Sequence, residues 1–229
     1  PDLQCLNLNE TGLTTYTFTD KQPQLIFINL SQNPDLRSVT FEFKPTELVS
    51  LDMYDSGIEE IALPAGMDNL VKIDIARNKL KKFSFGSGLK DLYLMDLGNN
   101  EIEMIHFPSG FQELRRVSFY QNKLKSFSFD GLMPNIESLD FRGNQLTDLP
   151  DNIIRLESLQ ELYLGNNPWE RIADAVKDGD RDNSRDTIFS FLSSIAPTER
   201  TENLYEAKLI LVGNGMVGKT YIRKRLIDP

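Results

Sequence analysis

The sequence predicts an α/β solenoid, from a repeated apolar pattern, an asparagine at a fixed place in the repeat, and an ordinary globular composition. The pattern L-x-x-L-x-L-x-x-N-x-L recurs eight times at intervals of 22 or 23 residues. A period of this length indicates units that cannot bury an apolar face alone and therefore stack on one another. The repeats begin at Leu3, Leu25, Leu48, Leu70, Leu92, Leu114, Ile136 and Leu159.

The centre of each repeat predicts a short strand. Two inner apolar residues flank a polar one, as in Leu51-Asp52-Met53, which is the period of a half-buried strand. The ninth position of the repeat carries an amide, which can tie the turning backbones of adjacent coils through its donors and acceptor. We interpret this column as structural: Asn33, Asn78, Asn100, Asn122, Asn144 and Asn167, with Thr11 and Ser56 as substitutes.

The opposite, convex side is rich in phenylalanine, and we expect at least half of these rings to fill the back of the core. Alternation such as Phe83-Ser84-Phe85 predicts short extended segments rather than full helices. His106, the only histidine, lies between two inward positions and should face solvent. The phenylalanines are Phe41, Phe43, Phe83, Phe85, Phe107, Phe127 and Phe129.

The polar residues between the buried strand positions should line the concave face. Asp52, Asp74 and Asp96 follow one another in the middle column. Strands about 4.8 Å apart place each neighbouring pair close enough to repel by roughly 1 kcal/mol. The flanking columns supply residues that can relieve part of the repulsion: Tyr54, Lys72, Arg116, Tyr120 and Arg142. The face is either a docking strip for a cationic partner or another domain, or a solvated sheet surface; a metal site is disfavoured because the carboxylates form a line. The candidate residues are Asp52, Tyr54, Asp74, Asp96, Arg116, Tyr120, Asp140, Arg142 and Tyr163.

The repeat pattern ends at Pro168-Trp169, and residues 170–197 predict a helical cap. Ser184 suits a helix N-cap. An apolar stripe follows at three- and four-residue spacing, at Ile188, Phe189, Leu192 and Ile195. A solenoid needs a cover for its last coil, and a partner-binding helix is the alternative. Residues 198–206 are polar without a period and predict a linker.

A phosphate-binding motif lies near the end of the chain. An apolar run at 207–212 precedes a G-x-x-x-x-G-K-T loop, and a helical pattern follows it. This context is the one in which the loop cradles phosphate oxygens with backbone N–H groups. Lys219 would neutralise β- and γ-phosphate charge, and the Thr220 hydroxyl would bind Mg²⁺. The loop comprises Gly213, Asn214, Gly215, Met216, Val217, Gly218, Lys219 and Thr220.

Composition excludes several classes of function. A net charge of −9 argues against general affinity for nucleic acid, and no apolar run is long enough to span a membrane. Cys5 is the only cysteine, so no internal disulfide is possible, which favours a cytoplasmic location. Because the chain starts at Pro1, which is not a natural start, and stops at Pro229 inside an incomplete fold, we expect it to be a piece of a longer protein.

Residues 1–169 resemble the leucine-rich repeat family, whose fold is a horseshoe with a parallel sheet on the concave side. Repeats followed by a short linker and Ala207-Lys208-Leu209-Ile210-Leu211-Val212-Gly213 resemble the Roco family, in which leucine-rich repeats precede a Roc GTPase and a COR dimerisation domain. The amino-acid sequence of the loop is similar to that of Ras-like GTPases. The resemblance implies that 207–229 begins a Roc domain. It further implies GTP and Mg²⁺ binding with slow hydrolysis in the full protein, and homodimerisation through COR. A bacterial source is consistent with the short repeats.

Two other functions remain open at this point. The chain could belong to a pure interaction scaffold with a vestigial nucleotide domain. It could also belong to a P-loop ATPase of the immune-receptor type with rearranged domains, since those receptors carry their repeats last. In every case we expect the 229-residue chain to bind GTP negligibly, because it holds no base pocket and no second Mg²⁺ ligand.

Overall fold

The structure, a computed structural model, describes residues 3–19, 24–176 and 182–195. These described residues belong to one compact unit. Its main layer is a parallel sheet of eight strands that follow one another in chain order. The strands are β1 (Cys5–Asn7), β3 (Phe27–Asn29), β5 (Ser50–Asp52), β7 (Lys72–Asp74), β8 (Leu94–Asp96), β10 (Arg116–Ser118), β12 (Ser138–Asp140) and β13 (Glu161–Tyr163). The predicted solenoid of eight repeats is confirmed.

Among the described residues, five coils carry a short strand on the convex side, as the alternating phenylalanines predict. Two small parallel sheets lie there. One contains β2 (Thr15–Phe18), β4 (Ser38–Phe41) and β6 (Glu60–Ile61), and the other contains β9 (Met104–Phe107) and β11 (Ser126–Phe129). Phe83-Ser84-Phe85 lies in neither a strand nor a helix, which agrees with the predicted absence of a full helix there. Phe83 is buried there, whereas Phe85 is only half-buried.

The core lies between the two sides and is built by the repeated apolar positions. Leu51, Ile73 and Leu97 have no exposed surface, and the corresponding residues of the other inner coils are similarly buried. Phe127 stacks on Phe141 with ring centroids 4.4 Å apart, so the convex rings close the core from behind. The first coil differs. Leu3, predicted to be inward, is 45% exposed because the described residues place no coil on its outer side.

The asparagine column holds consecutive coils together. Nδ2 of Asn100 donates to the carbonyl oxygen of Leu97 in its own coil and to that of Ile75 one coil back. Its Oδ1 accepts from the backbone N–H of Leu80 in the earlier coil. The other five asparagines repeat this geometry: Asn33, Asn78, Asn122, Asn144 and Asn167. The structural interpretation of this column is confirmed.

The C-terminal cap covers the last coil. Helix α1 (Arg185–Ile195) follows Ser184, and Ile188 and Leu192 are buried against the solenoid. Trp169 lies partly buried at the cap, and its Nε1 donates to the carbonyl oxygen of Leu164 at 2.9 Å. Ile195 is 47% exposed, so its predicted place in the apolar stripe is wrong. Of the described residues between Trp169 and α1, Ala173–Ala175 form a 3-10 helix, and another 3-10 helix lies at Asp151–Arg155.

Asn183 covers the open edge of the main sheet, a role that no pattern in the sequence indicates. Its Oδ1 accepts from the N–H of Leu162, and its Nδ2 donates to the carbonyl oxygen of Gln160. The N–H of Ser184 donates to the carbonyl oxygen of Leu162 at 2.8 Å. An uncovered edge strand would expose these backbone groups to pairing with another chain. The linker at 198–206, the segment at 207–229 and the phosphate loop lie outside the described residues.

Candidate interaction face

The concave face carries the predicted middle column in uninterrupted register. Each residue lies opposite its counterpart on the neighbouring strand, so that Asp74 is flanked by Asp52 and Asp96. The complete order along the sheet is Asn7, Asn29, Asp52, Asp74, Asp96, Ser118, Asp140 and Tyr163. The predicted acidic ladder is therefore present, on strands β5, β7 and β8.

This column also shapes the backbone, a role that the sequence analysis missed. Oδ1 of Asp96 accepts from the N–H of Gly98 at 2.8 Å, and Asp74 and Ala76 are paired in the same way. The residue three positions after each column member has a positive φ, as Arg77 does at 55°. Asn, Asp and Ser are the residue types that accept a backbone N–H two residues on. Their recurrence was the signal that could have revealed this turn.

Two of the three carboxylates of the ladder share one cation. Nζ of Lys72 lies 3.6 Å from an oxygen of Asp52 and 3.6 Å from an oxygen of Asp74. Among the described residues, no cation forms an ion pair with Asp96. Burial raises the pKa of Asp74 above its ordinary value, and the charges of Asp52 and Asp96 raise it further, against the opposing effects of the Ala76 N–H and Lys72. The N-terminal half of the face therefore keeps an excess of negative charge.

The C-terminal half of the face is balanced by contacts within itself. Arg142 forms a two-bond pair with Asp140, with Nε 2.9 Å from Oδ1 and Nη2 2.5 Å from Oδ2. The guanidinium lies 5.2 Å from the ring centroid of Tyr120 and 5.0 Å from that of Tyr163. Burial, with a smaller effect of Glu161, raises the pKa of Tyr163. Arg142 therefore neutralises Asp140 and is held between two rings, so it does not relieve the distant ladder.

Arg116 and Tyr54 complete the predicted face. Arg116 is exposed on β10, at the register position that Lys72 occupies on β7. Tyr54 is half-buried, and the guanidinium of Arg77 lies 5.7 Å from its ring centroid. The residues two positions after Asp74 and Asp96 are small: Ala76 and Gly98. The two aspartates beside them therefore have no bulky side chain on that flank.

Other candidate sites are weaker. His106 is exposed on the convex side, as predicted. Its Nδ1 lies 2.8 Å from Oγ of Ser128, and its Nε2 lies 3.0 Å from Oδ2 of Asp130. Within the described parts of the chain, no group of three or more His, Cys, Asp or Glu residues is arranged to hold a metal ion. No described helix is long and apolar enough to cross a membrane. The phosphate loop stays a prediction.

Comparison with known proteins agrees with this architecture. Residues 134–177 match the family model for leucine-rich repeats in two copies. The chain is 45% identical over 224 residues to a Roc-COR-CHAT protease of Runella zeae, which covers 97% of this chain and 24% of that protein. It is 37% identical over 228 residues to a Roc-COR-CHAT protease of an unidentified prokaryote, covering 99% of this chain and 21% of that protein. The chain thus spans about a quarter or less of these relatives.

Solved structures give more distant matches. A leucine-rich repeat protein of Leptospira interrogans matches with a TM-score of 0.38 and 20% identity, covering 72% of this chain and 55% of that one. YopM of Yersinia enterocolitica matches with a TM-score of 0.38 and 23% identity, covering 63% and 38%. The similarity to the Roc-COR-CHAT proteins extends along nearly the whole chain, and the described part is a leucine-rich repeat solenoid. The chain is thus a relative of the Roc-COR-CHAT proteins, and its described part is a leucine-rich repeat domain.

Proposed function

We propose that the chain is the regulatory leucine-rich repeat domain of a Roco GTPase, followed by the first phosphate-binding element of its Roc domain. The observation that carries the proposal is the extent of similarity, which covers 97% and 99% of the chain and therefore extends beyond the repeats. The repeats are an interaction scaffold. The nucleotide-binding part belongs to the longer parent protein.

In the parent protein, the proposed loop binds GTP together with Mg²⁺. The backbone N–H groups of residues 213–218 surround phosphate oxygens, since glycines allow the chain to curl around them. Lys219 neutralises charge on the β- and γ-phosphates, and the Thr220 hydroxyl is one ligand of the Mg²⁺. Slow hydrolysis and homodimerisation through a COR domain complete the proposal for the parent, which we place in the cytoplasm.

The concave face is the proposed binding surface for a protein partner or for another domain of the parent. It presents unbalanced carboxylates, which a solvated sheet face does not require and which a cationic surface would neutralise. The name of both relatives adds a protease to the Roc-COR arrangement. In a parent built in that way, the repeats recognise a partner and the Roc domain couples recognition to the downstream activity.

Titration calorimetry with GTP and Mg²⁺ tests the nucleotide part of the proposal. A chain extended through the complete Roc domain should bind GTP, while the 229-residue chain should bind it negligibly. In the extended chain, Lys219→Ala should abolish phosphate-dependent affinity, and Thr220→Ala should chiefly remove the Mg²⁺ dependence. Lys208→Ala, outside the loop, is the matched control and should bind normally. Absence of binding by the extended wild type would favour the scaffold alternative.

A further inference from the structure

The concave face is electrostatically divided. We call Asp52, Asp74 and Asp96 the acidic row; among the described residues, Lys72 is the only cation that forms ion pairs with these three carboxylates, and it pairs with Asp52 and Asp74. In the C-terminal half, the carboxylate of Asp140 is already satisfied by an arginine. A positively charged partner therefore gains more favourable electrostatic energy over β5, β7 and β8 than over β12 and β13. Such a partner should therefore bind the N-terminal half of the face.

An apolar strip lies beside the acidic row, at the edge where the strands begin. We call Val71 and Tyr93 the apolar edge; these side chains are 38% and 40% exposed. Val71 and Tyr93 are adjacent across the sheet, since the N–H of Tyr93 donates to the carbonyl oxygen of Val71. Large exposed apolar side chains next to one another mark interaction surfaces when polar residues border them.

The dimensions of the two features fit one helix. Successive strands lie about 4.8 Å apart, so Asp52 and Asp96 are separated by about 10 Å across the sheet. Residues seven positions apart on a helix are separated by a rise of about 10.5 Å. The apolar edge and the acidic row lie about three residues apart along the strands, or roughly 10 Å, which is the width of a helix. An extended segment points alternate side chains to opposite sides and cannot present two adjacent stripes.

We propose that the acidic row and the apolar edge together bind an amphipathic helix of a partner protein, with a basic stripe next to an apolar one. This inference rests on the proposed function only in taking the concave face as the interaction face. Charge complementarity argues for such a partner over a second copy of this chain, which carries a net charge of −9. Burial raises the pKa of Asp74, and the charges of Asp52 and Asp96 raise it further, which a cationic partner would oppose.

The probe is a synthetic 18-residue helix of lysine, leucine and alanine, with lysines and leucines on adjacent stripes. A peptide of the same composition with the stripes scrambled is its control. Binding to the 229-residue chain is followed by fluorescence anisotropy at low and physiological salt. The patterned peptide should bind about tenfold more tightly than the scrambled one, and added salt should lower its affinity.

The variants locate the binding surface. Asp74→Asn should lower the affinity for the patterned peptide by about tenfold, and Val71→Ser should lower it by a similar factor. Asp74→Asn should keep the fold, because Asn29 accepts the backbone N–H of Ser31 from the same column at 2.9 Å. Asp130→Asn removes the same charge from the exposed convex side and should leave the affinity unchanged.

Three outcomes overturn the inference: equal binding of the two peptides, equal losses in Asp74→Asn and Asp130→Asn, or self-association through the acidic row in sedimentation. The nucleotide titration is independent of these measurements. If the extended chain binds GTP but the patterned peptide shows no preference for the acidic row, this inference fails and the proposed nucleotide function stands. If the patterned peptide binds as expected but the extended chain does not bind GTP, this inference stands and the proposed nucleotide function fails.

Discussion

Asn100 donates a hydrogen bond of 2.9 Å from Nδ2 to the carbonyl oxygen of Ile75, one coil earlier. The amide is buried, so the groups that it satisfies have no access to water. An unsatisfied buried polar group costs about 1–3 kcal/mol. The side chain of this residue therefore contributes to the contact between two coils as well as to the turn of its own coil.

We expect Asn100→Ala to lower the free energy of unfolding by about 2–4 kcal/mol, because several backbone groups lose their partner together. Urea unfolding followed by circular dichroism measures the loss. Asn135→Ala is the matched control, since Asn135 makes a single exposed hydrogen bond to the carbonyl oxygen of Gln112. Its cost should stay within about 0.5–1 kcal/mol. Equal costs in the two variants would contradict the structural role of the column.

Two adjacent residues of β11 test which side chains of the convex strands point into the core. Phe127 is 6% exposed and stacks on Phe141, whereas the adjacent Ser128 is exposed. We expect Phe127→Ala to cost about 3–5 kcal/mol, because it removes a buried ring and leaves a cavity. Ser128→Ala should cost less than about 1 kcal/mol. Thermal melting of both variants checks this, and similar melting temperatures would show that the inward register of β11 is wrong.

The charge of Asp74 should make stability depend on pH. Its pKa is raised in the folded protein, first by burial and then by the neighbouring aspartates, so the ionised form is the disfavoured one. The folded state then holds the proton more tightly than the unfolded chain does, and ionisation costs stability as pH rises through the folded pKa. We expect Asp74→Asn to stabilise the protein at pH 7 by up to about 1 kcal/mol. The gain should shrink as the pH falls towards the ordinary range of aspartate. A gain that is independent of pH would rule out this origin.

Arg142 should stabilise the C-terminal half of the sheet. Its guanidinium pairs with Asp140 and lies against the rings of Tyr120 and Tyr163. We expect Arg142→Ala to cost about 1–3 kcal/mol through the lost charge pair and ring contacts. Lysine at this position should restore only part of the stability, because an ammonium cannot form two parallel hydrogen bonds and stack on a ring. Denaturant unfolding is the measurement. Arg116→Ala is the control and should cost less than about 0.5 kcal/mol.

The sequence by itself determined the solenoid, its eight strands and the inward registers, because a period of 22 or 23 residues repeats the same local contacts in every coil. It also placed Asp52, Asp74 and Asp96 in one row, since strand register follows from the apolar alternation. The tertiary structure alone decided which cations meet these carboxylates. Lys72 reaches two of them, whereas Arg142 is held by Asp140 on its own coil.

The ends of the repeat array were also decided by tertiary contacts. Ile195 fits the helical stripe in sequence but is exposed, because a period describes one helix and not the extent of the surface beneath it. Asn183 carries no repeat signal, yet it seals the edge of β13 through backbone groups of Leu162 and Gln160. Local sequence patterns determine the strand and the buried positions that every coil repeats. Contacts between segments that do not repeat are settled only when the chain folds.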